Sequence, residues 1–119
     1  MCWTVDFHPE FAEEFGEFSE AVQDRFLAGL ELLREFGPGL GRPHVDTMNG
    51  SAFGNMKELR FRVDNGVWRA AFAFDPRRQT IVLVAGNKVG VNERRFYRNL
   101  IAKADRRFGD HLARLTEEE

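Results

Sequence analysis

Residues 57–75, KELRFRVDNGVWRAAFAFD, constrain the fold more than any other stretch of the chain. Leu59, Phe61 and Val63 alternate with Glu58, Arg60 and Arg62; after Asn65-Gly66, Trp68, Ala70, Phe72 and Phe74 alternate with Arg69, Ala71, Ala73 and Asp75. A period of two puts each apolar set on one face of an extended strand. Asn-Gly turns a hairpin tightly because both residues tolerate positive φ. The segment predicts two antiparallel strands joined at Asn65-Gly66, with one apolar and one charged face. Pro76, Arg77 and Arg78 mark a further turn, and the apolar run 80–85 predicts a central third strand. Connections this short argue against parallel crossovers between residues 57 and 92.

The flanking segments carry other periods. Trp3, Val5 and Phe7 alternate as a short strand does. Pro9 suits a helix start, and Phe11, Phe15 and Phe18 follow at helical spacing in an acidic stretch. Ser19 is placed to cap a helix whose apolar stripe is Val22, Phe26, Leu30 and Leu33. Gly16 leaves open whether this is one kinked helix or two. The run GPGLGRP at 37–43 ends the helical segment. Residues 44–56 show no stable period and predict an ordered loop, functional or forming extra edge structure. From Asn92 onward, Phe96, Leu100, Ala104 and Phe108 recur every four residues and Leu112 continues them, predicting a terminal helix that frays over Glu117–Glu119. The reading is an α+β fold in one domain, residues 1–119: a small antiparallel sheet, an N-terminal helical segment and a C-terminal helix.

Hydrophobic residues make up 43% of the chain, enough for a packed core, and twelve Phe against one Tyr supply its aromatic bulk. The single Cys2 excludes an internal disulfide and a multi-cysteine zinc site. The opening MCWTVDFHPE lacks the pattern of a signal peptide and no long apolar stretch occurs, so a cytoplasmic location with no membrane partner is expected. Charge divides unevenly. Residues 1–50 hold ten Asp and Glu against three Lys and Arg, whereas residues 51–119 hold nine against fourteen. A basic C-terminal half makes nucleic acid a candidate partner, with plain solvation as the alternative. GNKVG at 86–90 is no complete phosphate loop, and no HExxH or calcium-loop pattern is present, so neither cofactor nor metal is expected. His8, His44 and His111 fall outside the strand constellation; His111 is the one worth testing as an acid or base.

Two stretches, KELRFRVDNGVWRAAFAFD and TIVLVAGNKVGVNERRFYRNLIAKADRRF, with the preceding helical arm and GRP turn, resemble the RelE/ParE toxin superfamily, particularly its HigB-like, phage-associated branch. The resemblance implies a type II toxin that cleaves mRNA on the ribosome without a metal, neutralised by a cognate helix-turn-helix antitoxin through which operator DNA is contacted. It also implies catalytic roles for Arg69, Lys88 and Tyr97. Arg60, Arg62, Arg94 and Arg95 are expected to bind substrate. A fixed guanidinium suits the charge that develops on a phosphorane, and an aromatic ring can stack a base. ParE-like members leave an alternative, a noncatalytic toxin or regulatory module that acts on DNA gyrase.

Overall fold

The computed structural model describes residues 2–118. In chain order the elements are β1 (Thr4–Phe7), α1 (Pro9–Gly16), α2 (Glu20–Phe36), a 3-10 turn (Gly37–Gly39), β2 (Val45–Thr47), β3 (Met56–Val63), β4 (Gly66–Phe74), β5 (Gln79–Asn87) and α3 (Glu93–Glu117). The helical arm is two helices. Pro9 occupies the first turn of α1, where a missing N–H costs nothing, and the His8 imidazole caps it by accepting from the Glu10 amide. Ser19 caps α2 as expected, accepting from the Val22 amide. The α2 stripe Val22, Phe26, Leu30 and Leu33 is buried.

β3 and β4 pair from Met56↔Ala73 to Val63↔Gly66, so the two-residue loop is Asp64-Asn65, one position earlier than predicted. Asp64 takes the left-handed conformation at φ 52°, which a short polar side chain tolerates. Gly66 opens β4 at a point where a Cβ would lie 2.9 Å from the Trp68 indole nitrogen. The sheet order is β1-β5-β4-β3-β2. β1 runs parallel to β5, an addition to the antiparallel expectation, while the other pairs are antiparallel. Part of the segment read as a loop is β2, an edge strand paired with Lys57–Leu59 of β3. The terminal helix keeps its form through Glu117, where fraying was expected; Glu119 lies outside the described residues.

Both faces of the sheet are covered, which corrects the expectation of a charged outer face. On one side α1 and α2 pack Phe11, Phe26, Leu30 and Leu33 onto Leu59, Phe61, Phe72 and Val82. On the other α3 packs Phe96, Leu100, Ala104 and Phe108 onto Met56, Ala71, Ala73, Ile81 and Leu83. The small Ala71 and Ala73 let the helix approach. Glu58, on that second face, is only 3% exposed.

A β-bulge adapts β5 to the two layers. The register passes from Ala71↔Val84 to Phe72↔Val82 and skips Leu83. Leu83 and Val84 therefore both join the α3 side, where strict alternation would have separated them. The skipped Leu83 carbonyl is taken by Arg107 of α3 at 2.7 Å. Arg107, 2% exposed, also forms a two-pronged pair with Glu14 of α1, at 2.8 and 2.6 Å. One guanidinium thus ties α3, β5 and α1 together. The paired Arg107 holds the Glu14 carboxyl below its usual range.

Arg107→Met keeps the stem's bulk but leaves the Leu83 carbonyl and Glu14 without a donor, and should cost about 2–4 kcal/mol in chemical denaturation. Because the Glu14 pKa is depressed in the fold, its contribution is present above the ordinary carboxylate range and is lost as pH falls through the folded value. Wild-type melting temperature should therefore drop on acidification more steeply than that of the Met variant; parallel acid limbs would contradict this role.

Candidate active site

Arg60 and Arg69 are Cα partners across β3 and β4. Two guanidinium groups directly opposite one another repel, and a stable sheet needs a counter-charge between them. Glu58 supplies it from two residues upstream on the same face of β3. Its Oε1 accepts from Arg60 Nε at 2.9 Å and from the Tyr97 hydroxyl at 3.3 Å, with Arg69 Nε 3.9 Å away. Arg69 Nε donates to the Tyr97 hydroxyl at 3.2 Å, and a second guanidinium nitrogen donates to the Trp68 carbonyl at 3.0 Å. Arg60 reaches Asp46 of β2 as well, at 3.4 Å. The result is a connected chain of donors and acceptors from β2 to α3.

The first turn of α3 brings Tyr97 into this cluster. Asn92 caps the helix by accepting from the Arg95 amide. Phe96 seats the turn against Gly86, the β5 partner of Arg69; a Cβ there would stand 3.1 Å from the Phe96 ring. Burial pushes the Tyr97 hydroxyl above its ordinary pKa, with the neighbouring Glu58 adding to the rise and the Arg69 hydrogen bond opposing it. Tyr97 is accordingly a protonated donor at neutral pH. The second oxygen of Glu58 is buried and unpartnered, a demand for a hydrogen-bond donor. Glu58, Arg60 and Tyr97 line a cleft of about 290 Å³ closed by Asp46, Met48 and Glu93.

Of the residues selected from sequence, Arg69, Tyr97 and Arg60 converge here. Lys88 stands beside them, with Nζ 2.9 Å from Glu93 and 6.0 Å from the centre of the Tyr97 ring. Arg62 lies further along β3 and lines a neighbouring groove instead. Arg94 and Arg95 are exposed on the first turn of α3 and do not line the cleft, because Tyr97 and Phe96 occupy the side of the turn that faces the sheet. His111 bonds Asp75 at 2.8 Å, fourteen residues and about 21 Å along α3 from Tyr97, too far to serve as an acid or base here. His8, Glu10 and Asp110 bring donor atoms within 4.8 Å of one another, but both carboxylates engage Arg106. Glu58 was missed from sequence. Its signal was present in KELRFR, a single acid in phase with Arg60 and Arg62.

The arrangement of a sheet between an N-terminal helix pair and a terminal helix is that of RelE. A mutant of the Escherichia coli toxin RelE, solved in the free state, superposes with a TM-score of 0.59 at 13% identity, over 87% of this chain and 97% of that one. Two proteins of Mycobacterium tuberculosis that carry toxin names are closer in sequence. HigB2 is 43% identical over 116 residues and HigB3 is 50% identical over 105. The chain covers 57% of the length of HigB2 and 90% of HigB3. The chain thus belongs to the RelE/ParE–HigB-like toxin superfamily. Within it, residues 13–109 match the family described as "Phage derived protein Gp49-like (DUF891)", to which the chain belongs.

Tyr97 is the only tyrosine, so phenolate absorbance reads this site alone. Its titration midpoint should lie above that of free tyrosine and move downward in Glu58→Gln, which removes the charge that opposes ionisation. An unchanged midpoint would mean that the two side chains do not interact in solution.

Proposed function

We propose that the protein is a type II toxin that cleaves mRNA on the ribosome, without a metal ion, and is restrained by a cognate helix-turn-helix antitoxin in the cytoplasm. The reading rests above all on two opposed arginines and a protonated tyrosine gathered around a buried carboxylate with one unpartnered oxygen. RNA cleavage by the neighbouring 2′-hydroxyl asks for a proton acceptor, for positive charge at the phosphorane and for a group at the leaving oxygen. Glu58 takes the 2′-hydroxyl proton as the O2′–P bond forms. Arg69, held by Trp68 and Tyr97 and 11% exposed, stabilises the charge on the non-bridging oxygens. Lys88 gives a proton to the 5′ oxygen as the P–O5′ bond breaks, leaving a 2′,3′-cyclic phosphate and a 5′-hydroxyl. Arg60 grips a flanking phosphate, and the ring of Tyr97 supports a base. Operator DNA is contacted through the antitoxin.

In a reconstituted translation system the protein should cut mRNA on the ribosome. Arg69→Ala should lower the cleavage rate about 100- to 1,000-fold while the variant remains folded. Lys88→Ala and Glu58→Gln should each lower it as well. Intact mRNA at saturating protein would reject the reading. Inhibition of gyrase supercoiling by the same preparation would replace it with the noncatalytic alternative.

A further inference from the structure

Beside the cleft a second groove, about 420 Å³, runs past the end of β2 toward α2. Its walls carry four arginines, Arg25 from α2, Arg60 and Arg62 from β3 and Arg69 from β4, together with His44. Arg60 and Arg69 belong to both this groove and the Glu58 cluster, so the two are continuous. Glu58 and Asp46 answer Arg60 and Arg69 only, so the like charge is relieved in part. Among the described residues neither Arg25 nor Arg62 forms an ion pair. Arg25 is conspicuous for its setting. It is one of three cations in the acidic first fifty residues; the other two, Arg34 and Arg42, pair with Glu31 and Asp46.

The strand edge adds to the groove's appetite for an anion. β2 covers β3 only as far as Leu59, and the Arg60 amide bonds the His44 carbonyl at 2.8 Å. Beyond it that edge of β3 has no strand neighbour. Backbone alternation then turns the Arg62 N–H outward, toward the same side as Arg25. Cations lining a depression in excess of their counter-charges raise the local concentration of a polyanion and grip its phosphates.

We propose that this groove is a phosphate-binding subsite for single-stranded RNA, in which Arg25 and Arg62 hold the backbone flanking the cleavage point. The inference rests on the nuclease reading for the identity of its anion, and it fixes the direction of the strand: from Tyr97 across Arg69 and Arg60, over the open edge of β3 and onto α2. It keeps Arg62 from the residues expected to bind substrate and adds Arg25, which was not among them.

The test uses a short 2′-O-methyl oligonucleotide, which lacks the attacking hydroxyl, and a polyglutamate peptide as a competing anion. Arg25→Gln and Arg62→Gln should each weaken oligonucleotide binding and make the log–log salt dependence shallower by about 0.7. Arg34→Gln, the same charge change elsewhere on α2, should leave binding as in wild type. On ribosomes, the Arg25 and Arg62 variants should raise KM by a larger factor than they lower kcat. Thermal melting of each variant checks that the fold is retained, which the exposure of both side chains favours. Wild-type binding by Arg25→Gln and Arg62→Gln overturns the proposal, as does a wild-type protein that ignores the oligonucleotide. Preferential capture of polyglutamate at these arginines also overturns it, by making the groove an interface for an acidic protein. Arginine-dependent binding without any cleavage by wild type would sink the nuclease reading and leave the subsite standing.

Discussion

The Arg107 guanidinium is the point at which the layers of this molecule are joined. A thin five-stranded sheet buried on both faces has to keep two helical layers in register, and apolar packing alone is poorly directional. The bulge at Leu83 supplies a carbonyl that the ladder does not use, and Arg107 is the donor that reaches it while gripping Glu14. Burying a charge is costly unless it is paired and hydrogen-bonded, so the interaction exists in one geometry or not at all. That restriction sets where α3 lies on the sheet. The position of its first turn, and hence of Tyr97, follows from the same rigid helix, with Tyr97 ten residues and about 15 Å from Arg107.

At the other end the constraint is electrostatic. Arg60 opposite Arg69 would destabilise a bare hairpin, and Glu58 makes the pairing tolerable without neutralising it. Both arginines share one carboxylate, so the cluster remains cationic and pre-aimed. Groups held in this way need little rearrangement when an anion arrives, the condition under which electrostatic stabilisation is most effective. Gly86 contributes by absence: the space its missing side chain leaves is filled by the Phe96 ring, which carries the adjacent Tyr97 onto Arg69.

Much of this was legible in the residues because it is local. Alternation located β3 and β4, an apolar run located β5, the four-residue spacing located α3, and Ser19 announced its cap. What the residues did not disclose depends on a partner distant in the chain. Ala71 and Ala73 read equally well as filler or as a seat for a helix until α3 is known to lie over them. β2 has only three residues, too few to establish a period, and exists by pairing with β3. The parallel place of β1 depends on a return across most of the chain. At the site, Arg60, Arg69 and Tyr97 were chosen by type and resemblance, whereas Glu58 was counted only as part of a charged strand face, because the layer that buries it is built by α3. Arg94 and Arg95 fall outside the cleft for the opposite reason: their charge was evident, but the face of the turn they occupy was not.

The division of charge along the chain acquires a physical meaning from these contacts. The acidic arm does not cover the basic region as a whole. Glu10 and Glu14 of α1 meet Arg106 and Arg107, which lie beyond the midpoint of α3. Most of the arm's remaining acids are spent on solvent, whereas Arg25 is turned toward β3. Acid and base are thus matched at the end of the molecule that holds Arg107 and only partly matched at the hairpin end, where Glu58 and Asp46 answer Arg60 and Arg69 while Arg25 and Arg62 form no ion pair among the described residues. A net charge of −2 is compatible with a cationic working end because attraction over a few ångströms depends on the nearest groups, and the distant surplus of acid is screened by salt beyond about 8–10 Å. The same ion pairs that fasten α1 to α3 therefore remove carboxylates from competition for the hairpin arginines, so assembly of the layers and exposure of the cationic end are consequences of one distribution of charge.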